Sequence, residues 1–138
     1  MILLDTNVVI YAGSRTSEFR EWALDVITSA VSTEGAGLNA VSLSELCVGA
    51  RSPASIAPTL TRWGITLLDV PVAASEEAAR AYREYRAQSV KATPVVPLPD
   101  FFIGAQALVM GWELATADKG RFRTYFPELR LRMPGVSG

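Results

Sequence analysis

The stretch Ile2-Leu3-Leu4-Asp5-Thr6-Asn7-Val8 runs three large aliphatic residues into an Asp-Thr-Asn turn and then into a second apolar run over 8–12. Consecutive apolar residues with no polar alternation are what a strand buried on both faces requires. Asp, Thr and Asn end such a strand and cap the helix that follows, because their short side chains accept hydrogen bonds from nearby backbone N–H groups. The stretch therefore predicts a buried strand over 2–4, a turn at Asp5 and a short helix over 8–12.

Outward from it the same alternation recurs. Ser17 is placed to cap a helix whose apolar residues Phe19, Trp22, Ala23, Val26, Ile27 and Ala30 fall at helical spacing, with Gly35 and Gly37 closing the segment. A second strand is predicted over 38–41. Ser42-Leu43-Ser44-Glu45 matches a capping box and opens a helix toward Arg51, with Pro53 starting another helical piece. A third strand over 65–70 stops at Pro71, and a long helix carries Ala74, Ala78, Ala81, Tyr82 and Tyr85 on one face. Three prolines make 94–99 extended and loop-like. Asp100 opens an apolar helix ending near Gly111, a fourth strand covers 114–116, a short helix 121–126, and a fifth strand 129–132. Strands alternating with helices predict the α/β class: one domain over 1–138, with a parallel central sheet of four to five strands flanked by helices.

Composition removes whole classes of chemistry. The chain has 138 residues, 49% of them hydrophobic and 20% charged, which is enough for a real core. It has no histidine, so there is no Ser-His-Asp triad, no His general base and no His-ligated zinc. Lys+Arg 13 against Asp+Glu 14 gives a net charge of -1, without the signature of a strongly basic nucleic-acid binder. Cys47 alone cannot form an internal disulfide, and between Leu46 and Val48 it is expected to be buried and inert. No leader pattern opens the sequence, and the apolar stretch 101–112 is shorter than the roughly 20 residues a bilayer needs. The expectation is a soluble cytoplasmic protein with no membrane association.

In a parallel α/β sheet the strand C-termini and the helix N-termini share one edge, where ligand sites lie. Asp5 and Asp118 are predicted at strand ends, Glu45 and Asp100 in first turns of helices, so all four face one crevice. Each taken singly reads as a cap. Together they repel one another and stay ionised only if cations compensate them. Oxygen donors without His or Cys select Mg²⁺ or Mn²⁺.

These residues also carry a resemblance. Asp5-Thr6-Asn7-Val8, Ser44-Glu45-Leu46 with Gly49, Asp100-Phe101-Phe102-Ile103-Gly104-Ala105 and Thr116-Ala117-Asp118 with Phe122 resemble, in order, the four motifs of PIN-domain ribonucleases, and more narrowly the VapC toxins of toxin–antitoxin pairs. The resemblance spans essentially the whole chain. It implies that Asp5, Glu45, Asp100 and Asp118 hold the metal and that Asn7 and Thr116 line the site. The ordinary alternatives are an Asx-turn for Asn7 and a plain strand residue for Thr116. Two features depart from the pattern, Ala117 where a polar or basic side chain is usual and the density of prolines over 94–99.

With no histidine, the economical chemistry is metal-assisted hydrolysis of a phosphodiester, with RNA as the substrate that the resemblance implies. Setting the four acids aside as metal-compensated leaves +3 on the rest of the chain, so a phosphate backbone need not be repelled. Among candidate contacts, Lys119 and Arg121 adjoin Asp118. Trp22, Tyr82, Tyr85 and Phe122 read as packing rather than base-stacking platforms. The resemblance further implies a VapB-type antitoxin partner, and apolar surface around Trp22, Ala23, Leu46 and Trp63 points to a homodimer. The alternatives are a PIN-type RNA-processing nuclease without a toxin role, a haloacid-dehalogenase-type phosphatase, whose second Asp is replaced here by Asn7, and a Mg²⁺-binding receiver-like signalling domain with Asp69 as phosphoacceptor.

Overall fold

A computed structural model describes residues 1–88, 98–118 and 120–135. Its five strands, β1 (Ile2–Leu4), β2 (Ala36–Asn39), β3 (Thr66–Leu68), β4 (Glu113–Ala115) and β5 (Leu131–Arg132), form one sheet in the order β3-β2-β1-β4-β5. Every neighbouring pair is parallel. Among the described residues seven α-helices surround it: α1 (Thr6–Gly13), α2 (Arg20–Ser32), α3 (Ala40–Val48), α4 (Ile56–Arg62), α5 (Ala74–Gln88), α6 (Pro99–Met110) and α7 (Gly120–Tyr125).

The centre of the sheet goes to β1 because it has no polar side to show to water. Ile2 and Leu4 enter one hydrophobic cluster with Val8, Ala23, Ile27, Leu38 and Leu60, whereas Leu3 enters a second with Ala78, Tyr85, Phe101, Ile103 and Phe122. The period-two alternation of a strand thus feeds two cores, one under α1, α2 and α4, the other under α5, α6 and α7. The aromatic residues read as packing do pack. Phe122 is 1% exposed, and the rings of Tyr82, Tyr85 and Phe101 touch at 5.5–6.2 Å.

Several expected boundaries move. The second strand is shifted two residues toward the N-terminus, and α3 starts at Ala40, so Ser42 is not its cap. Asn39 is: its Oδ1 accepts the Ser42 N–H at 2.9 Å, and its amide donates to Gln106 Oε1 at 3.0 Å. Asn39 is fully buried at the strand end, where one side chain satisfies both a helix terminus and a facing helix; the fully buried Ser42 hydroxyl has no partner among the described residues. Glu45 consequently lies in the second turn of α3, not the first. Ser17 accepts from the Phe19 N–H at 3.1 Å, forming a turn ahead of α2 rather than capping it. Helix α1 begins at Thr6, and α6 begins at Pro99, the residue before Asp100. Cys47 is half-buried rather than buried, its Sγ 3.7 Å from the Pro53 carbonyl. The expected extended stretch falls mostly outside the described residues, at 89–97. Among those described, no helix is long and apolar enough to cross a membrane.

Candidate active site

From β1 the chain moves outward to β2 and β3, then returns to set β4 on the other side of β1. That reversal brings the carboxyl ends of β1 and β4 side by side, the position at which open parallel sheets bind ligands. Asp5 directly follows β1 and Thr116 directly follows β4. The Asp5 N–H donates to the Ala115 carbonyl at 2.9 Å, so the two strand ends are tied before any side chain is considered.

Both oxygens of Asp5 are held. Oδ1 accepts from the Thr6 N–H at 2.8 Å, which caps α1, and Oδ2 accepts from the Thr116 hydroxyl at 2.7 Å. The Thr116 oxygen also accepts the Asp118 N–H at 2.9 Å, so one hydroxyl fixes the β4 loop and the β1 carboxylate together. Asp5 is 9% exposed. Burial pushes its carboxyl up from 3.8 to about 6, the charges of Asp100 and Asp118 add to the rise, and the bonds from Thr116 and Thr6 oppose it.

Asp100 stands in the first turn of α6, where Leu98 occupies the cap position without a side-chain bond. Among the described residues its carboxylate caps no helix. Oδ2 accepts from Arg121 Nη1 at 2.9 Å. Burial first, and Asp118 second, raise the Asp100 carboxyl above its ordinary range, with Arg121 opposing. Asp118 does cap a helix, its Oδ1 accepting the N–H groups of Gly120 at 3.2 Å and Arg121 at 3.3 Å.

Glu45 is reached differently. It is exposed and accepts from the Thr6 hydroxyl at 2.8 Å, so it joins the group through the residue next to Asp5. Asn7 turns its Oδ1 to the Ala117 N–H at 3.3 Å and thereby braces the β4 loop. Arg121, expected to face an RNA backbone, is instead paired with the acids, and Lys119 lies outside the described residues.

Asp5, Asp100 and Asp118 thus share one edge and sense one another's charge. Their donors are oxygen only, which fits a hard divalent ion in chemistry. Among the described residues no three of Asp, Glu or Cys are grouped tightly enough to hold a metal ion between them. Arg121 stands between two of the acids.

The sequence matches the family described as PIN domain over residues 2–126. The chain belongs to the PIN domain family. Membership carries the coarse assignment of a nuclease, a hydrolase. No curated protein matches this PIN domain. Among solved structures it is similar to FitAcB from Neisseria gonorrhoeae at 20% identity, covering 97% of this chain and 98% of that one with a TM-score of 0.70. VapBC2 from Rickettsia felis, bound to a promoter DNA fragment, is similar at 17% identity over 96% and 98% of the two chains, with a TM-score of 0.70. VapC20 from Mycobacterium tuberculosis, described as a sarcin-ricin loop cleaving toxin, follows at 16% identity over 91% and 95%, with a TM-score of 0.64. At these identities the likeness is one of fold.

The strand order of this PIN domain also disposes of the receiver alternative. A receiver-like sheet puts the third strand next to the first. Here β3 is at the far edge, and exposed Asp69 follows it there, separated from Asp5 by β2. Two contributors had not been singled out from sequence: Thr6, whose hydroxyl holds Glu45, and the buried pair of Asn39 with Gln106, which ties α3 to α6. The Asp-Thr-Asn signature was a signal for Thr6; nothing local marked Gln106.

Proposed function

We propose that this PIN domain is a Mg²⁺- or Mn²⁺-dependent endoribonuclease that hydrolyses phosphodiester bonds of single-stranded or loop RNA, and that it serves as the toxin of a toxin–antitoxin pair. The observation that carries the nuclease reading is the set of Asp5, Asp100 and Asp118 at the switch point of the sheet, where the charge of Asp118 adds to the rise of the Asp5 and Asp100 carboxyls, in a chain without imidazole. Asp5, Asp100 and Asp118, with Glu45 on the neighbouring helix, would hold the ion. A divalent ion bound there lowers the pKa of a coordinated water and stabilises charge on the leaving oxygen.

The chain's own part is positioning and charge. The Thr6 amide and the Thr116 hydroxyl hold both oxygens of Asp5 in one orientation, and the Thr6 hydroxyl does the same for Glu45. Asn7 braces the loop that carries Asp118. Lys119 and Arg121 are the proposed contacts to the RNA backbone, with Asn7 lining the site; Thr116, expected beside them, is 0% exposed and serves the site from beneath, through Asp5 and Asp118.

The partner part of the reading is a VapB-type antitoxin and a homodimer. It is supported by likeness to VapBC2 and to a sarcin-ricin loop cleaving toxin, and by an apolar groove of about 520 Å³ between α1, α3 and α4. Val9, Ile10, Leu46, Ile56, Leu60 and Trp63 line that groove, with Ile10 52% exposed.

The deciding experiment is cleavage of a single-stranded RNA by the purified chain in Mg²⁺ and in excess EDTA, for the wild type and for Asp100→Asn. Cleavage by the wild type in Mg²⁺ alone, with most of it lost in the variant, is expected. Undiminished cleavage in EDTA, or full activity in Asp100→Asn, refutes the metal-site assignment. Growth arrest on expression, relieved by a co-expressed neighbouring gene, separates a toxin from an RNA-processing nuclease.

A further inference from the structure

We propose that Arg121 is a tethered counter-ion of the acidic site: its guanidinium stands between Asp100 and Asp118 while no divalent ion is bound, and an entering divalent ion displaces it. This rests on the metal-nuclease reading above and adds what the chain does before metal arrives.

The geometry is built by α7. Asp118 spends Oδ1 on the first N–H groups of that helix, from Gly120 and Arg121, which leaves Oδ2 for the guanidinium of the same Arg121. Nη1 lies 3.7 Å from Asp118 Oδ2 and 2.9 Å from Asp100 Oδ2, so one nitrogen answers two carboxylates carried by different elements. Those are oxygens that a metal ion held by Asp100 and Asp118 would need.

The arrangement is more than a surface pair. The side chains of Arg121, Asp100 and Asp118 are 27%, 22% and 32% exposed, which limits screening by water and salt. The Arg121 guanidinium is a planar, delocalised cation. It leaves this place by moving. A divalent ion held by the same carboxylates would compete with the guanidinium for them, and two cations drawn to the same pair of acids repel strongly in a half-buried setting.

Movement is open to Arg121 because α7 does not depend on it for anchorage. Phe122 and Phe126 hold that segment, each 1% exposed in the second hydrophobic cluster. A displaced guanidinium on a flexible stem at the rim then becomes available to a phosphate oxygen, which it binds in the same fork geometry as a carboxylate. Metal would thereby switch Arg121 from an acid partner to a substrate partner, and metal would bind before RNA.

The test is calorimetric titration of Mn²⁺ into the wild type and Arg121→Gln, together with ¹⁵N NMR of the Arg121 Nε–H in the wild type during Mg²⁺ titration. Expected are Mn²⁺ binding about tenfold tighter in the variant, the change that loss of a competing charge produces, a lower melting temperature of the variant in EDTA at pH 8, and a shift of the wild-type Nε–H signal as Mg²⁺ saturates. Equal or weaker Mn²⁺ binding in the variant, with normal binding by the wild type, overturns the displacement and leaves the metal reading standing. An unmoved Nε–H signal at Mg²⁺ saturation overturns it too, without relying on any variant. Mn²⁺ binding by neither protein overturns both.

Discussion

Replacing Asp5 by Asn should make the metal-free protein more stable at neutral pH. Asp5 carries a carboxyl raised from 3.8 to about 6 in the fold, chiefly by burial. A group whose proton is held more tightly in the folded state contributes stability that is complete below its unfolded pKa and disappears as pH rises through the folded one. For Asp5 that window runs from 3.8 to about 6. Above it the ionised carboxylate costs about 3 kcal/mol, at roughly 1.4 kcal/mol per unit. Asn is isosteric and uncharged, so it escapes that cost. It loses one thing: its Nδ2 faces the Thr116 oxygen, which can accept from it, but the Thr116 hydroxyl proton then loses its acceptor, a penalty of about 1 kcal/mol. The balance is about 2 kcal/mol of stabilisation, or roughly 6–10 °C in melting temperature for a chain of this size. The assay is thermal unfolding of both proteins in EDTA at pH 8 and pH 3.5. The gain should be present at pH 8 and absent at pH 3.5, where wild-type Asp5 is itself neutral. In Mg²⁺ at pH 8 the wild type should recover the difference and the variant should not respond. A variant that melts no higher than wild type at pH 8, or that gains equally at both pH values, would show that burial of the Asp5 charge is not the strain described here.

Gly104→Ala should destabilise the fold by about 1–3 kcal/mol through overpacking, because a Cβ there would lie 2.6 Å from two ring carbons of Phe126 and 3.1 Å from Phe122; urea unfolding measures it. Ser42→Ala should stabilise by about 1 kcal/mol, since it removes a fully buried hydroxyl with no partner among the described residues and replaces a weaker helix former with a better one; a fall in the urea midpoint would show that the hydroxyl has a partner after all. Asn39→Ala should cost about 2–4 kcal/mol, the sum of a lost cap and an orphaned Gln106 carbonyl, and Gln106→Leu in the same background should return part of it in the same unfolding assay.

What was legible in the sequence was whatever depends on periodicity. Ile2-Leu3-Leu4 can be only a doubly buried strand, the 3.6-residue spacing of Ala74, Ala78, Ala81 and Tyr85 can be only an amphipathic helix, and their alternation forces a covered parallel sheet. That in turn carries Asp5, Asp100 and Asp118 to one edge. A strand C-terminus and a helix N-terminus cannot be anywhere else in such a sheet. The order of strands was not legible in the same way, because β3 pairs with β2 at the edge through a register that leaves no local mark, and that order is what separates Asp69 from Asp5.

Choice of partner was the part that stayed hidden. Ser42 and Glu45 have the spacing of a reciprocal cap, yet that spacing is also what places Ser42 and Glu45 on adjoining turns of a helix begun three residues earlier, with Asn39 as its cap. The choice between the two goes to Asn39 because its amide also meets Gln106 on α6, a residue 67 positions away. Arg121 follows the same rule. Beside Asp118 in sequence, it reads as a cation free to face a phosphate. Only the return of α6 to the edge, bringing Asp100 within 2.9 Å, makes a carboxylate its nearest partner. A long charged side chain takes the opposite charge that the fold delivers to it, and that delivery is a property of the sheet order rather than of the neighbouring residues. If metal replaces Arg121 between Asp100 and Asp118, the residue expected from sequence to meet RNA does so only after the fold's own acids have been given a better cation.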